Sequence, residues 1–298
     1  MKFYYFGGHF TNNYSLEKAS TLDKNHFSGV MFTYDATQGD MFVRTAKDIK
    51  PEEKIKYLVA IRPHTISPQY LYTIHDSINE IMEDRLQINF ITGYIKDHES
   101  NVGGIVSGVN DKSDPIDRSK YMIDFIKTLN DMSENRKNKK LLDFYVSATN
   151  SYILNTAKEY KNKIILPYNV YKRGFWSDRP SSPIKLDIKN TEVMIAMTPI
   201  IRKTKEELDL LTNYALKPIW KKGEVSQVLN DVEYFTHESF NEFIEMLEQD
   251  GINHLLINSV PAEEVHVIVP FIKQYVELKE TYKIKEKVLQ WKTFYYQQ

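Results

Sequence analysis

Ile55-Lys56-Tyr57-Leu58-Val59-Ala60-Ile61-Arg62-Pro63 reads as a strand closed by a proline. Apart from Lys56, both alternating faces of Ile55–Ile61 are apolar, which suits a strand buried on both sides, as strands of parallel sheets are. Ile66-Ser67-Pro68 follows, with a side chain able to cap a helix and a proline suited to the first helical position. The pattern predicts a helix over Pro68–Met82, with Leu71, Ile74, Ile78 and Ile81 at helical spacing. Arg85-Leu86-Gln87-Ile88-Asn89-Phe90-Ile91-Thr92-Gly93 then supplies the next strand, Leu86–Ile91. Strand, helix, strand implies parallel pairing with a right-handed crossover.

The same rhythm extends in both directions. Lys2–Phe6 and Ser28–Phe32 read as earlier strands, and Leu142–Val146, Ile164–Leu166, Val193–Met197 and Leu255–Ile257 as later ones. Helices are expected at Asp117–Met132, Tyr152–Tyr160, Lys205–Tyr214, His237–Gln249 and Ala262–Leu278. Thr204 is a plausible cap, and Asp250-Gly251 a stop. Eight strands with intervening helices predict a closed (β/α)8 TIM barrel, and a doubly wound open sheet is the alternative. The expected organisation is one barrel domain over 1–278 and a charged, aromatic tail over 279–298. Two stretches interrupt the rhythm. Tyr94–Asp114 is a long polar, Gly-rich loop after strand four, and 169–190 is irregular where helix six belongs.

The 298 residues carry 39 Lys plus Arg against 40 Asp plus Glu, a net charge of −1, with 42 % apolar and 27 % charged residues. That profile describes a soluble globular chain and argues against wholesale binding to nucleic acid or membrane surfaces. No apolar run nears the roughly 20 residues of a membrane helix, and the first residues lack a signal-peptide pattern. Zero Cys excludes disulfides, thiolate metal sites and a cysteine nucleophile, and favours a cytoplasmic setting.

The usual motifs are missing. The chain has neither G-x-G-x-x-G nor a P-loop, and no G-x-S-x-G elbow; Gly103–Gly108 resembles the last only loosely and reads better as part of a lid. None of the eight His forms H-x-H or H-E-x-x-H, so no metal site is expected. His9 follows strand one at the end where barrel active sites sit, with a packing role as its plainer reading. His75 falls within a helix, as a surface or partly buried residue. Asp35 and Asp40 follow strand two, as mouth carboxylates or as turn and cap residues.

The segment 55–93 resembles the bacterial-luciferase-like flavin monooxygenases, nearest to their alkanesulfonate monooxygenase branch. There a strand L-V-A-L-R-P leads to S-P at a helix start and then to G-R-x-x-x-N-x-V-T-G. Weaker echoes follow in order: Asp117-Arg118 with Asp124-Phe125, Tyr145–Ser151, Ile201–Thr204 and Gly251–Ser259. The resemblance implies the same barrel and reduced FMN as cofactor, with a separate flavin reductase as its supplier. Thr92, Gly93, Ser147, Thr149, Asn150 and Ser151 match the turns that hold the phosphate; backbone N–H groups and hydroxyls with little bulk are what a phosphate needs. Ala60, Arg62 and Asn89 would lie near the ring system, and Tyr168 matches a family aromatic. His9, Gln38 and Asn89 are the candidate catalytic residues. Gln38 stands where the branch has a cysteine, Pro115 and Ser119 where it has His and Tyr, Ala196 and Thr198 where it has Arg and His, and Val260 where it has Tyr. Those replacements point away from a simple sulfonate, towards a neutral, larger or carrier-protein-bound substrate. F420-dependent hydride transfer on the same barrel, or flavin binding without turnover, are the other readings. Family members dimerise through helices near strands two and three, so a homodimer is expected.

Overall fold

The computed structural model describes residues 1–8, 26–33, 40–48, 54–92, 114–135, 142–148, 152–154, 156, 163–172, 191–216, 232–259 and 264–295. In chain order the elements are β1 Lys2–Gly8, β2 Gly29–Phe32, α1 Met41–Asp48, β3 Lys56–Ile61, α2 Pro68–Met82, β4 Leu86–Phe90, α3 Pro115–Glu134 and β5 Phe144–Ser147. There follow β6 Lys163–Pro167, α4 Tyr168–Lys172, β7 Val193–Arg202, α5 Lys205–Leu210, β8 Val232–Thr236, α6 His237–Gln249, β9 His254–Ile257 and α7 Val265–Tyr295.

All strand pairings are parallel. They run β1-β2-β3-β4-β5-β6-β7-β9 and return to β1. Eight strands thus close a barrel, and the open-sheet alternative is excluded because none of the eight is left as an edge. Alternation along each strand divides the apolar residues between two cores. Tyr4, Met31, Leu58, Tyr145, Ile165, Met194 and Leu256 point inward and fill the barrel. Their neighbours Phe3, Val59, Ile88, Val146, Ile164, Ile195 and Leu255 point outward, into the core with Leu71, Met122, Leu129, Phe240, Ile244, Ile268 and Ile272 of the helices. Burial on both faces is why these strands read as continuous apolar runs.

The helix starts follow local chemistry. Ser67 accepts from the Tyr70 amide at 3.2 Å, and Pro68 opens α2. Thr204 and Glu207 form a reciprocal capping box on α5, as Thr236 and Ser239 do on α6. Gly251 takes φ 83° where α6 turns towards β9, a conformation that costs glycine little. Asp40 is a cap: its carboxylate accepts from the Phe42 and Val43 amides at 2.9 and 3.0 Å. Asp35 lies outside the described residues. On α2, Leu71 and Ile78 are buried and Ile74 half-buried, whereas Ile81 is 64 % exposed.

Several expectations need correcting. A ninth strand, β8, was not anticipated, and β7 runs to Arg202 rather than stopping at Met197. Pro199 makes the run look finished. It is tolerated because this upper half of β7 has left β6 and β9 and pairs only with β8, Thr198 opposite Val232 through Arg202 opposite Thr236. The short helix α1 was also missed. The last helix runs on to Tyr295 rather than ending at Leu278, because 279–295 is rich in good helix formers. His75 is buried, 3.0 Å from the Asn79 amide nitrogen, rather than at the surface. Of the irregular stretch 169–190, the first residues belong to α4 and 173–190 lie outside the described residues; so do 94–113 of the long loop. Asp114 caps α3 through the Ile116 amide at 2.7 Å. Among the described residues no helix is long and apolar enough to cross a membrane.

Candidate functional site

The two ends of the barrel differ in kind. At the N-terminal end the lumen closes on a paired charge network. Asp143 accepts from Gln87 Nε2 at 2.6 Å, Lys163 Nζ at 2.8 Å and Lys56 Nζ at 3.2 Å. Glu192 accepts from the Tyr145 hydroxyl at 2.6 Å, with Lys163 Nζ at 3.5 Å and His254 Nδ1 at 3.9 Å. The Tyr4 hydroxyl donates to Gln87 Oε1 at 3.2 Å. Burial pushes the Tyr4 phenol up to about 12 and Tyr145 further up, the latter reinforced by Glu192. Burial also raises Asp143, but the hydrogen bonds from Lys163 and Gln87 more than offset it and hold the carboxyl below the usual range. Desolvation depresses His254 to about 4, outweighing the pull of Glu192. Perturbed groups can mark active sites, but these face one another as complementary pairs at the end of the barrel that serves stability.

At the C-terminal end the described inward-facing side chains are mostly neutral. Above the filled layer, the inward-facing Phe6, Ser147, Pro167, Ala196 and Asn258 are half-buried. Ser147 Oγ donates to Asn89 Oδ1 at 3.1 Å, and Asn89 Nδ2 donates to Met31 Sδ at 3.6 Å. One side of the mouth is walled by the β7–β8 ribbon. Ile200, in step with Ala196 and Thr198, packs with Val232, Leu208, Leu211 and Tyr234 on the lumen side, while Ile201 and Phe235 join the main core. Arg202 ties the ribbon to the start of α7, its guanidinium donating bidentately to Glu264 at 2.6 and 2.7 Å. Those hydrogen bonds raise the arginine further above its ordinary value.

The expected site residues divide. Ala60, Arg62, Asn89 and Thr92 are buried at the exits of β3 and β4, and Ser147 is half-buried on β5 beside Asn89. The Tyr168 ring packs edge-to-face on Phe243 of α6 at 5.0 Å, on the helix side of the barrel wall. His9, Gln38, Gly93, Thr149, Asn150 and Ser151 lie outside the described residues. Two features escaped the sequence reading. The basal network has a signal there: Lys56 and Lys163 open strands, while Asp143 and Glu192 each stand one residue before one. Asn258 Nδ2 donates to Thr198 Oγ1 at 3.3 Å across β7 and β9, a pairing that no local motif announces.

No family model matches the chain. Solved structures do match it over most of its length. A long-chain alkane monooxygenase aligns with a TM-score of 0.61 at 10 % identity, covering 94 % of this chain and 92 % of its own. The likeness is one of fold. An F420-dependent secondary alcohol dehydrogenase, solved with an F420–acetone adduct, gives a TM-score of 0.59 at 13 % identity, over 91 % of this chain and 98 % of the other. The oxygenating constituent of 3,6-diketocamphane monooxygenase from Pseudomonas putida, solved with FMN, gives 0.52 at 14 % identity, over 84 % and 88 %. The closed barrel is therefore an architecture that proteins described as oxygenases and as F420 enzymes share.

Proposed function

We propose that the chain is an FMN-dependent monooxygenase that uses reduced flavin and O2 on a small or carrier-bound organic substrate other than a simple sulfonate. The observation that carries this reading is the contact between Ser147 and Asn89 at the C-terminal end of the barrel. It brings the family-like segment 55–93 together with the β5 exit, above a floor of buried apolar side chains.

The donor set fits a flavin in kind. An amide and a hydroxyl on adjacent strands could meet the polar edge of the ring system, and the apolar layer of Met31, Leu58 and Leu256 could meet its flat face. Thr149, Asn150 and Ser151 would hold the phosphate. Reduced FMN, when bound, supplies the electrons and the reaction with O2. The protein's share is to orient and to exclude water. The filled middle layer bars solvent from below, and the β7–β8 ribbon screens one side. A separate flavin reductase would deliver the reduced cofactor, and the chain would act as a homodimer. F420-dependent hydride transfer is a second reading, favoured by the likeness to F420 enzymes at equal structural similarity.

Titration of the intrinsic fluorescence with FMN, reduced FMN and F420, followed by O2 uptake with reduced FMN, separates these. Tightest binding of reduced FMN, with O2 consumption coupled to product, is expected. Thr149→Phe should weaken FMN binding about tenfold or more. Failure of every flavin to bind overturns the proposal, and tight F420 binding without O2 uptake replaces it with the second reading.

A further inference from the structure

The filled middle of the barrel is built largely from side chains that can be oxidised. Of the seven buried residues in that layer, Tyr4, Met31, Tyr145 and Met194 carry phenols or thioethers. Leu58, Ile165 and Leu256 show that aliphatic side chains fill the same space, so packing alone does not call for the other four. The cluster is contiguous and runs from the C-terminal end towards the base. Met31 Sδ accepts from Asn89 Nδ2 at 3.6 Å, and Tyr145 stands directly opposite Asn89 in the β4–β5 register. The Tyr4 ring lies against Gly29, one inward position below Met31 on β2. The two phenols are hydrogen-bonded to each other.

The base of the cluster supplies what oxidation of a phenol needs. A phenol that gives up an electron becomes a strong acid, and its proton must find a base within hydrogen-bond reach. The Tyr145 hydroxyl donates to Glu192 Oε1 at 2.6 Å, the length of a charge-assisted bond to a carboxylate. Lys163 Nζ at 3.5 Å and His254 Nδ1 at 3.9 Å also face Glu192, and Asp143 holds Lys163 and Lys56 beside them. Burial and the neighbouring phenol and carboxylate push Tyr145 well above the ordinary phenol range, so its proton stays on oxygen until the electron leaves. The Lys163 and Glu192 side chains are 33 % and 35 % exposed, which brings this end of the cluster to solvent and to small reductants.

We propose that Tyr145, with Tyr4 beside it and Glu192 as its proton acceptor, is a redox site that draws stray oxidising equivalents away from the barrel mouth. The oxidant is an oxygen-centred radical, protonated superoxide, left when reduced flavin and O2 react with no substrate to consume them. One electron passes from Tyr145 to that radical and reduces it to hydroperoxide, which takes a proton from water. The Tyr145 O–H bond breaks, its proton moves to Glu192, and a neutral tyrosyl radical remains. A small thiol returns the electron from the solvent side and Glu192 returns the proton, which restores the phenol. The source of the oxidant rests on the oxygenase reading, whereas the redox property belongs to the chain itself.

The test has a flavin-free arm and a flavin arm, both on the full protein. In the first, photogenerated ruthenium(III) tris(bipyridine) removes one electron, and electron paramagnetic resonance reads the radicals. A slowly decaying tyrosyl signal is expected, most of it missing in Tyr145→Phe and in Glu192→Gln. The second change keeps a carbonyl that accepts the hydrogen bond but cannot take up the proton, so a merely structural role for Glu192 leaves the signal in place. Circular dichroism confirms folding, and Glu192→Gln serves if Tyr145→Phe misfolds. An undiminished slow signal in both variants overturns the proposal. In the second arm, reduced FMN and O2 react without substrate in the presence of catalase, and peptide mass spectrometry reads the sulfoxide of Met31. Its yield should be several-fold higher in Tyr145→Phe than in the unaltered protein. No rise while O2 is consumed overturns the protective role. A Tyr145 radical in the first arm with no flavin binding in the second sinks the oxygenase reading and leaves the redox site standing.

Discussion

At the scale of single residues, Gly29 shows how tightly the lumen is filled. A Cβ built there would lie 2.4 Å from Tyr4 Cε1, 2.5 Å from Cδ1 and 3.0 Å from the Lys56 carbonyl oxygen. Tyr4 stands directly opposite Gly29 in the β1–β2 register, and its hydroxyl is committed to Gln87. The ring therefore cannot swing away without giving up that bond and disturbing the filled layer. Gly29→Ala should destabilise the protein by about 1–3 kcal/mol, the usual range for overpacking a dense core. Urea unfolding measures this, and an unchanged midpoint would mean that the Tyr4 ring has room the packing does not suggest.

At the scale of elements, the Arg202–Glu264 fork joins the upper half of β7 to the start of α7. Its side chains are 17 % and 6 % exposed, and the guanidinium also donates to the Ile201 carbonyl at 2.7 Å. Removing one partner strands a mostly buried charge, whereas replacing both with apolar groups does not. Glu264→Leu should cost about 2–4 kcal/mol, and the double change with Arg202→Met should recover at least half of that. A double-mutant cycle on urea midpoints reads the coupling; strictly additive losses would show that the fork is not a tie. The elements were also where sequence reading did best and worst. α2 and α6 were legible to the residue because Ser67-Pro68, Asp250-Gly251 and the apolar spacing are local signals. β8 was illegible because Val232–Thr236 pairs with residues already past the barrel rim, and short sequence windows carry no trace of that partner.

At the scale of the whole molecule, the basal network links stability to pH. His254 is held neutral, with its folded pKa lowered to about 4 from an ordinary 6.5. Its contribution is thus present above pH 6.5 and is lost as pH falls from there towards 4, because the unfolded chain takes up the proton first. Asp143 is lowered too, so its contribution fades further down, as acid protonates the carboxyl that Lys163 and Lys56 hold ionised. Lys163 is raised by the same pairing, so the pair is lost again only in strong alkali, when the ammonium gives up its proton. Unfolding free energy should therefore decline between pH 6.5 and 4, and His254→Phe should flatten that slope. Chemical denaturation across the range checks it; an unaltered slope in the variant would place the titrating group elsewhere.

Sequence alone determined the alternation of strand and helix and the parallel sheet, while the structure decided for the closed barrel against the open sheet. The alternation and the sheet follow from hydrophobic period and capping chemistry, which act over a few residues. Sequence also singled out 55–93 as the stretch that carries the family resemblance. Only the tertiary structure decided which strands are neighbours at the mouth. That is how Ser147 meets Asn89 from 58 residues away, and Asn258 meets Thr198 from 60 residues away. It likewise decided that the charges opening β3 and β6 converge with those preceding β5 and β7 into one network. Such contacts depend on the register and closure of the barrel, which bring together residues that no local pattern connects.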